Sequence, residues 1–156
     1  MNFFDRFLNV INNFEKEGVD YVLIGGYAIV LHGFARLTQD IDVFLNPTRN
    51  NVERFKKSLK NIYNDNAIDE ISLSELEAYP IIRYGTEDGF YIDIIVKIGT
   101  RFKFDDINFQ VKEIEGVKIK VATPETLFAL KKDSYREIDR LDIRFLETIL
   151  KKNAGI

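Results

Sequence analysis

Ile24-Gly25-Gly26-Tyr27-Ala28 leads through Arg36-Leu37-Thr38-Gln39 into Asp40-Ile41-Asp42-Val43-Phe44, and this stretch decides how the chain is read. Just ahead of it, Tyr21-Val22-Leu23-Ile24 is a short continuous apolar run, the pattern of a strand covered on both faces. The double glycine follows, and Tyr27-Ala28-Ile29-Val30-Leu31-His32 reads as a short helix that Gly33 ends. The next strand separates its faces: Ile41, Val43 and Leu45 point one way, Asp40, Asp42, Phe44 and Asn46 the other.

Outward from this unit, Phe3, Phe4, Phe7, Leu8, Ile11 and Phe14 fall at helical spacing, with Arg6, Asn9, Asn13 and Lys16 on the wet face and Gly18 as the stop. Asn46-Pro47-Thr48 ends the aspartate strand, and Val52, Phe55, Leu59 and Ile62 give the next helix its apolar stripe. Residues 61–69 are polar and loop-like, and Ser72-Leu73-Ser74-Glu75 has the form of a capping box before a short helix that stops ahead of Pro80. Ile81–Tyr84 and Phe90–Ile98 flank a five-residue turn, Gly85–Gly89, which predicts an antiparallel hairpin. A second hairpin is expected over 108–121, turning at Glu115-Gly116. Thr123-Pro124-Glu125 marks a helix start, carrying Leu127, Phe128 and Leu130 up to Lys131-Lys132. A last helix, from about Tyr135 to Lys152, is predicted to pack through Ile138, Leu141, Phe145, Ile149 and Leu150. The expectation is one mixed α/β (α+β) domain over 1–156, with a core of about 18–121 and a helical part of about 123–153.

Composition narrows the function. Lys and Arg total 22 against 25 Asp and Glu, with no long basic run, so charge gives no sign of a polynucleotide surface. The sequence has no cysteine, which excludes thiolate metal sites. No apolar run approaches the ~18 residues of a membrane span, and the first residues lack a basic-then-apolar leader pattern. A cytoplasmic protein without membrane contact is expected.

The aspartates carry the chemistry. Residues two apart in a strand share a face with Cα atoms ~6.5–7 Å apart, so Asp40 and Asp42 can converge on one divalent ion; the alternative is the solvated face of an edge strand. Asp93 interrupts the apolar run Phe90-Tyr91-Ile92-Asp93-Ile94-Ile95-Val96. Buried there, it needs a partner or a metal; the alternative is again an edge residue facing water. Should the three meet, each pair at ~6 Å repels by roughly 3 kcal/mol at an effective dielectric of 20. A divalent cation removes that penalty, and otherwise a carboxylate protonates. Gly25 and Gly26 let backbone amides approach an anion at a helix start, although a double glycine after a strand also serves as a plain tight turn. An anion seat beside three carboxylates fits a nucleoside triphosphate arriving with Mg²⁺.

Gly25-Gly26, thirteen intervening residues, Asp40-Ile41-Asp42, and then Asp93 in an apolar strand resemble the DNA polymerase β-type nucleotidyltransferase superfamily. Ile24–Ala28 with His32-Gly33, Arg36, Thr38 and Asp40–Asp42 is similar to its small stand-alone prokaryotic members, including the AbiEii toxin-like branch. Leu130-Lys131-Lys132 followed by Arg136, Asp139 and Asp142 resembles the helical tail of that branch. The resemblance implies a mixed, largely antiparallel sheet flanked by helices and a reaction in which a hydroxyl attacks the α-phosphorus of a nucleoside triphosphate and expels pyrophosphate. Asp40 and Asp42 would hold two Mg²⁺ ions, with Mn²⁺ as a substitute, and Asp93 would share the ion that activates the acceptor. Gly25 and Gly26 would seat the triphosphate. Glycine at position 26 departs from many active members, which have serine there.

Arg36 and Thr38 are candidates to contact phosphate, or else to order the loop. Lys131 is a candidate point charge for the triphosphate, or else an offset to its own helix dipole. His32, the only histidine, reads as a packing or loop-ordering residue. The partners implied are a nucleoside triphosphate, a hydroxyl acceptor that is a protein, an RNA or a small molecule, and a protein encoded nearby. The competing expectation is an antitoxin-like or regulatory module of the same fold that binds nucleotide with little or no turnover.

Overall fold

The structure, a computed structural model, describes residues 2–132 and 137–155. Helix α1 (Phe3–Lys16) opens the chain, capped by the Asn2 side chain and closed ahead of Gly18. It feeds strand β1 (Tyr21–Ile24), helix α2 (Gly25–Leu31) and strand β2 (Ile41–Leu45). Helix α3 (Arg49–Lys60) starts on Thr48, and α4 (Leu73–Ala78) on Ser72, whose hydroxyl accepts from the Glu75 amide at 3.1 Å. The first hairpin is β3 (Ile81–Gly85) and β4 (Tyr91–Ile95), followed by the small pair β5 (Lys97–Ile98) and β6 (Phe102–Lys103). The second hairpin is β7 (Phe109–Ile114) and β8 (Val117–Ala122), turning at Glu115 and Gly116, both at positive φ. Helices α5 (Pro124–Lys131) and α6 (Glu137–Asn153) complete the chain.

Six strands make one sheet in the order β3-β4-β2-β1-β8-β7. Its outer pairings β3–β4 and β8–β7 and the central β2–β1 are antiparallel, whereas β4–β2 and β1–β8 are parallel. The two parallel pairings are where helices or long connections return the chain to the sheet. They place β2 between β1 and β4, so Asp42, Val43 and Phe44 each have a register partner on both sides.

Four sequence expectations differ from the structure. The strand expected to run to Ile98 leaves the sheet after Ile95, where the Val96 amide donates to the Pro80 carbonyl and Lys97–Ile98 turns to pair with Phe102–Lys103. Within the polar 61–69 stretch a 3₁₀ turn forms over Asn66–Glu70, started by the Asp65 side chain. Asn13, assigned to the wet face of α1, is buried, its amide donating to Asn9. Lastly, α6 does not bury Ile138 and Leu141; its buried residues are Asp139, Asp142 and Leu146. Its predicted start at Tyr135, and Arg136, lie outside the described residues.

One buried amide ties the site's scaffold together. Asn51, 2% exposed, accepts from the Asp20 amide at 2.7 Å and donates to the Asp20 and Asn46 carbonyls. It thus joins the entry to β1 with the exit of β2 and keeps the two strands in step. Truncating it leaves the Asp20 amide without a partner, a loss of ~1–3 kcal/mol for a buried group, while the Asp20 and Asn46 carbonyls keep the Asn46 and Thr48 amides as donors. Asn51→Ala should therefore lower unfolding free energy by ~1–3 kcal/mol, read as a shift in the urea midpoint with an unchanged slope.

Candidate active site

The cross-strand register builds the site. Asp42 stands opposite Asp93 in the parallel β2–β4 pairing and opposite Ile24, the last residue of β1, in the antiparallel one. Paired residues of adjacent strands project to the same face ~5 Å apart, so the two carboxylates are forced together, and they are hydrogen-bonded. Asp40 lies one residue before β2 and is more open. Asp93 and Asp40 are linked by Arg83 on β3, the register partner of Asp93. Its Nε and Nη2 donate to Asp93 Oδ1 and Oδ2 at 2.9 and 3.1 Å, and Nη2 lies 3.6 Å from Asp40 Oδ2.

The crowding shows in the protonation of the site. Burial pushes the Asp42 carboxyl up, and the hydrogen bond and charge of Asp93 push it further, with a small added push from Asp40, to about 7 against a weaker pull from Lys131. Such a donor set, all carboxylate oxygen, suits a hard divalent cation such as Mg²⁺ or Mn²⁺. The retained proton measures how poorly adjacent carboxylates tolerate each other without one. As the side chains stand, no group of three or more His, Cys, Asp or Glu among the described residues is gathered to hold a metal ion. The reason is visible in the contacts: the Arg83 fork takes both oxygens of Asp93 and leans on Asp40.

The glycines are dictated by these neighbours. Gly25 sits at φ +72°, and a Cβ there would run into Asp42 Oδ2. Gly26 lacks that constraint, but a Cβ on it would fall 2.5 Å from Thr38 Oγ1 and 2.9 Å from Arg36 Nη2. A serine at position 26 would therefore displace Thr38, whose own hydroxyl fills that space. The helix begins at Gly25 itself, rather than after the glycines, and no side chain caps it.

Behind the glycines lies a buried charge cluster. Arg36 pairs with Asp142 through Nε at 2.9 Å and Nη2 at 3.1 Å, and Lys131 Nζ reaches Asp139 Oδ1 at 2.6 Å and Asp142 Oδ2 at 3.3 Å. Asp142 is fully buried and Asp139 nearly so. Arg36, Thr38, Gly25, Gly26 and Lys131 line a polar cavity of about 320 Å³ on the Asp40 side of Asp42. On the Asp93 side a second cavity of about 500 Å³ is walled by Ile81, Ile95, Ile98, Leu127 and Leu130. Lys131 touches both. His32 stands apart, its Nε2 2.8 Å from the Ala122 carbonyl, where it ties α2 to β8.

A family model described as "Nucleotidyl transferase AbiEii toxin, Type IV TA system" matches residues 6–144. The chain belongs to this family. No significant match is found among curated proteins. Among solved structures, this AbiEii-family nucleotidyltransferase is similar to the lincosamide antibiotic adenylyltransferase LnuA in its lincomycin-bound form, at TM-score 0.52 and 21% identity, covering 87% of this chain and 90% of that one. An antigenic nucleotidyltransferase-like protein from Paracoccidioides brasiliensis matches at TM-score 0.52 and 16% identity, over 92% of this chain and 75% of the other. Both likenesses are of fold.

The structure of this AbiEii-family chain thus pairs Asp42 with Asp93, ties Asp40 to Asp93 through Arg83, and lines one cavity beside Asp40 and Asp42 with Gly25, Gly26, Arg36, Thr38 and Lys131. Arg83 carries weight that sequence reasoning did not give it, and Asp139 and Asp142, noted there only for their likeness to a helical tail, hold the two cations of the cavity. Arg83 was only a strand residue, because a symmetric reading of the Gly85–Gly89 turn sets it against Tyr91 rather than Asp93. Asp139 and Asp142 recur three apart on α6, a spacing that puts both on one helix face.

Two outcomes follow for stability. The folded protein holds a proton on Asp42 up to pH ~7 that an unfolded chain releases near pH ~4. Stability without divalent metal should therefore fall as pH rises from ~4 to ~7 and level off above. Asp42→Asn should flatten that slope and raise Tm at pH 8. Asp142→Ala, which leaves Arg36 and Lys131 without their buried partner, should cost ~3–5 kcal/mol in urea unfolding.

Proposed function

We propose that this chain is a divalent-cation-dependent nucleotidyltransferase that moves a nucleoside monophosphate from a triphosphate to a hydroxyl acceptor and releases pyrophosphate. The observation carrying this reading is the forced pairing of Asp42 with Asp93 against Gly25. A scaffold gains nothing from placing carboxylates together in a half-buried site, whereas metal-assisted phosphoryl chemistry requires it. Asp40 and Asp42 would hold Mg²⁺ toward the triphosphate, and Asp93 would engage the ion facing the acceptor. Held by these carboxylates, two such ions would activate the attacking hydroxyl and offset the charge on the leaving pyrophosphate.

The chain's own groups do the rest. The polar cavity takes the phosphates: Gly25 and Gly26 keep the floor free of side chains, Thr38 offers a hydroxyl, and Arg36 and Lys131 supply positive charge that Asp139 and Asp142 hold in place. The acceptor oxygen forms its bond to the α-phosphorus as the bond from that phosphorus to the β-bridging oxygen breaks. Its proton leaves toward the Asp42–Asp93 pair, the carboxylates nearest the aliphatic cavity. The acceptor is a protein, an RNA or a small molecule, and the family's description as a toxin of a type IV TA system supports a nearby-encoded antitoxin as the protein partner.

Incubation with labelled nucleoside triphosphates, Mg²⁺ and cell extract should transfer label from wild type. Asp42→Ala should reduce transfer by at least ~100-fold, about 2.7 kcal/mol of transition-state stabilisation. The matching triphosphate should raise Tm in Mg²⁺, since binding at ~100 times Kd adds ~2.7 kcal/mol to the folded state. Transfer indifferent to Asp42 would overturn the assignment.

A further inference from the structure

Arg83 is the charged group of the site that the proposed reaction leaves without a task. Its guanidinium forms two parallel bonds with Asp93, at 2.9 and 3.1 Å, and comes within 3.6 Å of Asp40. Two-pronged pairing of this kind is the strongest form of the arginine–carboxylate contact and holds both oxygens of the acid at once. The fork is also built to stay in place. Its carbon centre lies 4.6 Å over the Tyr91 ring, and that ring leans on Gly85, where a Cβ would sit 3.2 Å from it. Arg83 and Gly85 on β3, and Tyr91 and Asp93 on β4, are two register pairs of one hairpin face. The hairpin thus carries its own counter-cation to the carboxylates.

From this arrangement we infer that Arg83 and a divalent cation compete for Asp93. The inference rests on the metal-site reading above and adds a gate to it. A cation at Asp40 and Asp42 meets carboxylates of which one is only grazed by the guanidinium, so it binds without disturbing the fork. A cation that draws on Asp93 must displace two hydrogen bonds and share the space with a fixed positive charge. The two ions therefore do not load alike: the Asp93 ion is the weaker, and it enters when the fork lets go. Arg83, 54% exposed at its side chain, has room to swing outward, and the planar donors it then frees match a phosphate as well as a carboxylate. Arg83 is a positioning residue in this account, because it acts on the reaction through Asp93.

The experiment is a Mn²⁺ titration without nucleotide, followed by the electron paramagnetic resonance signal of free Mn²⁺, on wild type, Arg83→Met, Arg83→Lys and the Asp42→Asn/Asp93→Asn double variant. Arg83→Met should tighten the weaker Mn²⁺ site by about tenfold or more, the equivalent of about 1.4 kcal/mol. Arg83→Lys, which keeps the charge but not the fork, should fall between it and wild type. Equal or weaker Mn²⁺ binding by a folded Arg83→Met protein would overturn the inference while leaving the metal site standing. Should Arg83→Met not fold by circular dichroism, Arg83→Lys decides alone, and no tightening there overturns it equally. Wild type and Arg83 variants that bind no better than the double variant would instead remove the metal site, and the competition with it.

Discussion

Two carboxylates at one register of adjacent parallel strands form the contact on which the rest of this structure turns. The sheet order puts β2 between β1 and β4, and the pairing sets Asp42 beside Asp93 with no freedom to separate. Backbone hydrogen bonds along two strand pairs resist the repulsion, so the carboxylates cannot relax apart and instead hold a proton or gather cations. Much of the surrounding sequence answers that demand. Gly25 is glycine because Asp42 Oδ2 fills the place of its Cβ, and Arg83 stands where its fork meets Asp93. Lys131 reaches in from α5, close enough to draw the Asp42 carboxyl down against the other influences.

A second electrostatic layer anchors the C-terminal helices to the first. Helix α6 buries two aspartates beside Leu146, because what they meet is Arg36 from the loop before β2 and Lys131 from α5. A buried ion pair of this sort adds little net stability compared with a well-packed apolar contact, but removing one member is costly. Its effect is on placement. The two cations lining the polar cavity are held from behind by residues that do not themselves line that cavity's mouth beside Gly26, so the α6 contact and the charge offered to an anion are one feature of the fold. Phe34 stacked on Phe145 at 4.9 Å reinforces the same docking through the loop that carries Arg36.

Much of this was legible in the sequence, for local reasons. The strand-glycine-helix-strand unit announced itself through apolar runs and turn residues, the caps at Ser72 and Thr123 through their side chains, and the β7–β8 turn through Glu115-Gly116. Asp40, Asp42 and Asp93 stood out because carboxylates in apolar strands need a reason. What was hidden depends on register and on long-range partners. A symmetric reading of the Gly85–Gly89 turn opposes Arg83 to Tyr91, one pair short of its true partner, since the Thr86 amide donates to the Phe90 carbonyl and moves the pairing along by two residues. The face of α6 was misjudged for the same reason: hydrophobic periodicity assumes an apolar core, and Ile138 and Leu141 lost to aspartates whose partners lie up to 106 residues away.

The two cavities that meet at Asp42 give the proposed reaction its direction. Phosphates carry charge and need amides, hydroxyls and cations, which the Gly26 side supplies, whereas the Asp93 side is aliphatic apart from the carboxylates, Arg83 and Lys131. A molecule entering from the Asp93 side loses water against isoleucine and leucine, and it brings its hydroxyl to carboxylates in a less polar surrounding where their influence is stronger. Arg83 stands at that entrance, bonded to the acid that would meet the hydroxyl. In the proposed reading, access of the acceptor and release of Asp93 are therefore the same event, because a group approaching Asp93 from the aliphatic side arrives where the guanidinium sits. The hairpin that contributes Asp93 to the site also contributes the residue that withholds it.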